Sequence, residues 1–233
     1  MRAIFKREMR SYFTSPIGYV VVIAFWLFVS MLFYMMFSSG AAQIGDIFSS
    51  AFSVVLILIP LLTMRSFSEE RRQKTDQLYM TAPVRLTAVV LGKFFAALTV
   101  FAICLSITVV FMLIFCLYIS PDSLVYLGNV VGMLLLGSCF IAVGIFISVL
   151  TESQIVSAIG SFSVALVLML LDYVTSLVGI ELLQKAAAWV SFSERYNSFT
   201  TGTFDWANVI FFLSLTAVFL FLSVRRLDRR RWA

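Results

Sequence analysis

Six long apolar runs, joined mostly by short polar connections, constrain this chain more than any other feature. The first run extends from Ile17 to Phe37 without a charged side chain. The others cover 48–64, 89–118, 126–150, 155–171 and 208–224. A helix needs about 20 apolar residues to cross a bilayer, within a range of about 17–25. Residues 89–118 exceed that length, so the first turns of this run are expected to project from the membrane. Hydrophobic residues make up 61% of the chain and charged ones only 12%. Ordinary soluble domains are about half apolar and about a quarter charged. A soluble core of this size could not hide so much apolar surface. The expected fold is therefore all-α: a polytopic membrane protein with six transmembrane helices, forming one domain over residues 1–233.

Charge sets the expected orientation. Of the 17 basic residues, 15 fall before the first run, at or near the connection between the second and third, or after the sixth, counting Lys93 at the inner end of the third run. Only Lys185 and Arg195 fall on the other side. Basic connections stay in the cytoplasm, so both termini are expected there, in a multi-pass protein of the plasma membrane. Termini on one side require an even number of spans, which agrees with six. The net charge of +5 is the sum of this bias. No basic stripe with interleaved aromatics points to nucleic acid.

The chain has no histidine, and its three cysteines, Cys104, Cys116 and Cys139, sit inside apolar runs. The commonest general base and metal ligand is therefore missing. This excludes HExxH metalloproteases and serine–histidine membrane proteases. Buried free thiols are the simplest reading of the cysteines. The Ile17–Phe37 run is too long for the apolar region of a cleavable signal peptide.

Three segments outside the runs carry information. In residues 2–13, Phe5, Met9, Tyr12 and Phe13 share one helical face, while Lys6, Arg7 and Arg10 share the other. This spacing predicts an amphipathic helix lying in the interface plane, its cations toward lipid headgroups. Residues 65–85 are the most charged stretch between two runs. Ser66 followed by Glu69 reads as a capping box that starts a helix. Glu70–Lys74 and Arg72–Asp76 are four apart, the spacing of helical ion pairs. Pro83 limits the helix. A structured connection of this length, among otherwise small loops, is read as a docking surface. Residues 172–205 are expected to be either one or two short helices dipping into the outer leaflet or a surface loop. Trp189, Tyr196 and Trp206 are placed at the membrane boundary. Small residues recur at helical spacing: Gly128 and Gly132, Gly144 and Ser148, and the row Ser153, Ser157, Ser161 and Ala165. They permit close helix packing, within the bundle or against a second copy.

These features together resemble the permeases of type-2 ABC exporters, in the gliding-motility-like and copper-processing-like branch. The resemblance covers nearly the whole chain. It rests on KREMRSYFTSPIGY, LIPLLTMRSFSEERRQKTDQLYMTAPV, VVLGKFFAAL, and SERYNSFTTGTFDW followed by RRLDRRRW. The second is the most specific and is similar to the family's R-x-F-x-x-E-x-x-x-G-T-x-E-x-L-x-x-x-P. Two departures are read against that pattern. Lys74 stands where glycine is usual, and Asp76 is taken to stand where glutamate is usual. Lysine for glycine is expected to make the connection more helical.

The resemblance implies a type V exporter-like architecture. The segment with Arg65, Ser66, Glu69, Glu70, Arg71, Arg72, Lys74, Thr75, Asp76 and Pro83 would be a coupling helix seated in a cytoplasmic ATPase. Two ATPase copies and a second permease chain, the same or related, would complete the transporter, with room for an accessory subunit at the outer face. ATP and magnesium would belong to the ATPase. The chain itself carries no G-x-x-x-x-G-K-[ST] phosphate loop and is not expected to be an enzyme or to bind a cofactor. The cargo implied is lipid-like, amphipathic or peptidic, moved outward. The alternatives are a channel or secondary transporter, and a non-transporting scaffold of a secretion or motility machine. The nearly uncharged span interiors weigh against an ion relay.

Overall fold

The computed structural model describes residues 1–38, 44–77, 85–118, 123–178, 191–202 and 205–231. Ten helices are described: α1 Arg2–Thr14, α2 Pro16–Ser38, α3 Ile44–Thr63, α4 Ser68–Arg72, α5 Leu86–Leu105, α6 Ile107–Tyr118, α7 Ser123–Leu150, α8 Gln154–Val178, α9 Phe192–Thr200 and α10 Trp206–Arg231. No strand occurs among the described residues. Among the described residues, five stretches are long and apolar enough to cross a membrane: Pro16–Ser38, Gly45–Arg72, Leu86–Tyr118, Ser123–Leu150 and Trp206–Arg231. The fold is that of an all-α polytopic membrane protein. The fifth expected span, 155–171, falls in α8, where the apolar stretch Gln154–Leu170 is shorter than the other five.

Local chemistry explains several boundaries. Ser15 is extended, as a residue before proline tends to be, and Pro16 occupies the first position of α2, where its missing N–H costs nothing. α1 then folds back tightly on α2. A Cβ at Gly18 would lie 2.4 Å from the Tyr12 carbonyl oxygen. The run expected as one span over 89–118 is two helices, broken at Ser106. The Thr108 hydroxyl donates to Leu105 O at 2.7 Å, and the Trp26 indole donates to Cys104 O at 3.0 Å. Carbonyls at the break thus find partners, as buried backbone groups must.

α7 is the central helix. It packs against α3, α5, α8, α9 and α10. Met133, Leu136, Ile141 and Ile145 are fully buried along it. A helix that is apolar all round belongs inside. The outward sides of α2, α8 and α10 expose Val20, Leu27, Met31, Ile155, Val167, Ile210 and Phe221. Such a belt is unaffordable in water and natural in a bilayer.

The small-residue rows work inside the chain. Gly132 abuts Phe199 of α9, and Gly144 abuts the Thr63 hydroxyl at the end of α3. Ser157, Ser161 and Ala165 are buried on α8, which packs on α3 and α7, whereas Ser153 is exposed.

α9 lies against α3 and α7 at the end of the bundle opposite α4. Ser191 caps it, its Oγ accepting from Glu194 N at 3.0 Å. Phe192, Tyr196 and Phe199 are buried beneath it. Tyr196, placed at the membrane boundary by the sequence, is instead a core residue. Its ring stacks on Phe52 and its hydroxyl donates to Phe48 O at 3.1 Å. Trp206 is exposed. Trp189 lies outside the described residues, as do Lys185 and Pro83.

Candidate functional site

The charged residues gather at the other end, where α1, α4, the start of α5, the α7–α8 turn and the end of α10 converge. α4 follows α3 after a short turn. Its start differs from the capping box the sequence predicts. The first turn is Ser68–Arg72 with Phe67 at the cap position, and no side chain of the segment itself caps it. The cap comes from α7. Ser148 Oγ accepts from Phe67 N at 2.9 Å and Ser68 N at 3.0 Å, and donates to Met64 O at 3.4 Å. Glu69, freed from capping, takes two hydrogen bonds from Arg65, at 2.6 and 2.9 Å. Arg65 also donates to Ser15 Oγ at 2.8 Å, which ties the α1–α2 corner to α4.

The end of α4 also departs from expectation. The helix stops at Arg72, so the pairs Glu70–Lys74 and Arg72–Asp76 lose their helical register. Thr75 N donates to Glu70 O at 2.9 Å and Lys74 N to Arg71 O at 3.0 Å. This crossed pair is the Schellman closure, with Lys74 at the position that takes the left-handed conformation. Lys74 has φ 56°. The glycine of the family pattern is thus explained by backbone geometry. Lysine here does not lengthen the helix; it adopts the strained conformation glycine would take freely. Counted from Arg65, the glutamate position of the pattern falls on Gln77, not on Asp76.

Glu70 points back into the protein. It accepts from Arg7 of α1 at 2.7 Å and pairs with Lys93 of α5 at 3.0 Å. Lys93 also pairs with Glu8 of α1 at 3.0 Å and donates to Ser66 O at 2.6 Å. Its ammonium lies 4.9 Å from the Phe67 ring centroid. The Lys93 side chain is only 2% exposed. Arg7 completes the group by pairing with Glu8 at 2.9 Å. Two cations and two anions balance, as a buried charge requires. The sequence reading placed Lys93 only at the end of a span and did not single out Glu8.

α4 is tied to α7 and α8 as well. Arg71 donates to Leu150 O at 3.0 Å and Val149 O at 3.3 Å, covering carbonyls at the end of α7, and pairs with Glu152 at 2.6 Å. Arg230 of α10 comes near Arg71, Arg226, Asp76 and Glu152. Arg72, Gln73, Lys74 and Thr75 remain exposed, facing away from the bundle.

α1 shows the expected two faces. Ile4, Met9, Tyr12 and Phe13 pack on the core, Phe5 is half-buried, and Lys6, Arg7 and Arg10 are exposed. The apolar face rests on α5 and α2, so protein covers it. The Tyr12 hydroxyl donates to Leu62 O at 3.2 Å. Burial pushes the pKa of this phenol, already protonated at neutral pH, up to about 12. Between α1 and α4 lies a polar cavity of about 380 Å³, bordered by Arg7, Glu8, Tyr12, Arg65, Glu69, Glu70 and Lys93.

The arrangement is one of mechanical attachment: a short helix at the end of a bundle, bound to α1, α5, α7 and the α7–α8 turn through directional polar contacts. The comparison with curated proteins finds no match. Residues 2–232 match the family described as ABC-2 family transporter protein. With that match spanning nearly its whole length, the chain belongs to the ABC-2 transporter family and is a membrane permease component of an ABC transporter.

Proposed function

We propose that the charged end is where a separate ATP-hydrolysing subunit docks, with α4 as the coupling helix and α1 beside it. One observation carries this reading. Arg72 and the residues just after α4, Gln73 and Lys74, are exposed outward, while Glu70, Arg71 and the Ser148-capped start bind α1, α5, α7 and the α7–α8 turn. A push on α4 therefore moves the transmembrane helices rather than a loose loop. ATP and magnesium act in the partner, present in two copies beside a second permease chain. The charged end faces the cytoplasm of a plasma-membrane protein, with α8 as the fifth of six spans and both termini inside. The apolar interior favours a lipid-like or amphipathic cargo, while a peptide cargo and outward movement rest on the family resemblance. ATP acts because closure of the ATPase pair binds one permease state better than the other.

Purification of the chain in mild detergent, with co-purifying proteins identified and counted, tests this directly. An ATP-binding subunit in matching amount is expected. A homo-oligomer alone would favour a channel or scaffold. Arg72→Glu is the sharper probe of docking than a change at Glu70, because Glu70 also holds the buried ion pairs. Arg72→Glu is expected to release the ATPase while leaving the chain inserted. A reporter fused after Asp205 is expected to score external, and a cytoplasmic score would break the six-span arrangement.

A further inference from the structure

A second feature lies apart from the coupling region. α5 and α10 diverge near the charged end and leave a groove of about 320 Å³ on the side of the bundle. Its walls are Val90 and Leu91 from α5, and Leu220 and Val224 from α10. At its lip stand Thr87, Arg225 and Asp228. Both helices belong to stretches that can cross a membrane, so the groove opens where lipid lies.

Two opposite charges share the lip of an otherwise largely apolar groove. Arg225 and Asp228 sit three residues apart on one helix, a spacing at which opposite charges commonly pair. Among the described residues neither makes an ion pair or a hydrogen bond through its side chain. Arg225 instead lies over the Phe221 ring, 5.2 Å from its centroid. Arg65, Glu70, Arg71 and Lys93 at this end are paired, whereas the exposed Arg226 and Arg229 of α10, like Arg225, make no ion pair among the described residues. An apolar trough closed by one cation and one anion, each without a polar partner, matches an amphiphile whose head carries both signs.

We propose that this groove holds one phosphatidylethanolamine molecule. An acyl chain lies along Val90, Leu91, Leu220 and Val224, the phosphate accepts from Arg225, and the ammonium donates to Asp228. The headgroup chemistry separates this lipid from its neighbours. The choline ammonium has no N–H to donate. Phosphatidylglycerol has no cation for Asp228 and brings a net negative charge beside it. Arginine suits phosphate because its planar fork makes paired, charge-assisted bonds.

The test uses the full chain in mild detergent, stripped of lipid. Equimolar phosphatidylethanolamine, phosphatidylglycerol and phosphatidylcholine with the same acyl chains are added back, and native mass spectrometry counts the lipids retained. One phosphatidylethanolamine per chain is expected, at about tenfold preference over the other two, the scale of one charge-assisted hydrogen bond. Asp228→Asn is expected to erase the preference. Arg225→Gln is expected to lower retention of all three. Leu91→Trp is expected to fill the groove and expel the lipid with both charges intact. No retained lipid, equal retention of the three headgroups, a preference for phosphatidylglycerol, or a preference that survives Asp228→Asn would overturn the proposal.

Discussion

The two ends of the bundle are closed in opposite ways. At one end, α9 seats Phe192, Tyr196 and Phe199 in the core, with Phe199 against Gly132. Phe192 meets Phe140, Phe211 and Phe212 with ring centroids 5.6–5.7 Å apart. At the other end, α4 is held by Lys93, Glu70, Arg7, Glu8, Arg71 and Ser148, beside a polar cavity of about 380 Å³. Close-packed aromatic contacts tolerate little rearrangement. Ion pairs bordering a polar cavity can exchange partners, with water making up a lost bond. The aromatic end suits a fixed closure and the ionic end suits a part that moves.

The largest expected break in this contrast is Lys93→Met. It removes the buried cation and leaves Glu8 and Glu70 with only the exposed Arg7 between them. Breaking a buried pair costs about 3–5 kcal/mol, and thermal unfolding in detergent should report a loss of that size. Were Lys93 only a space filler, methionine would be nearly neutral. At the aromatic end, Gly132→Ala places a Cβ 2.7 Å from Phe199 Cγ. Overpacking of this kind costs about 1–3 kcal/mol. The same unfolding measurement should show that loss, with ATPase association unchanged.

Two smaller changes sharpen the picture of α4. Ser148→Ala deletes a cap shared by two amides and should cost about 1 kcal/mol. Hydrogen exchange should speed up at Phe67 and Ser68, and not in α9. Lys74→Gly should stabilise by roughly 0.5–1 kcal/mol, because glycine takes the left-handed conformation without the Cβ clash. A destabilised Lys74→Gly protein would show that the lysine side chain holds something its backbone geometry does not reveal.

What the sequence revealed depended on range. Apolar runs located the spans, and the period of residues 2–13 located α1, because both signals are local. The α4 segment was legible as charged and structured. Its wiring was not. Ser66–Glu69 satisfies the capping-box pattern, yet Arg65 takes Glu69 and the cap comes from Ser148, some eighty residues away. Glu70 has Lys74 at the right spacing but bonds to Arg7 and Lys93, since the Lys74 backbone turns left-handed and ends the helix. Lys93 looked like a charge at a membrane edge because Glu8 and Glu70 reach it only through the tertiary fold. Tyr196 carried the composition of an interface anchor, but the start of α3 supplied a carbonyl and a ring that bury it.

The central claim is that the exposed side of α4 meets the ATPase. Photo-crosslinking in native membranes tests it most directly, with one probe at Gln73 beside α4 and another at Thr201 beyond α9, both exposed. The account predicts that Gln73 captures an ATP-binding subunit, identified by mass spectrometry, and that Thr201 does not. Capture from Thr201, or from neither position in a complex shown to be intact, would contradict it.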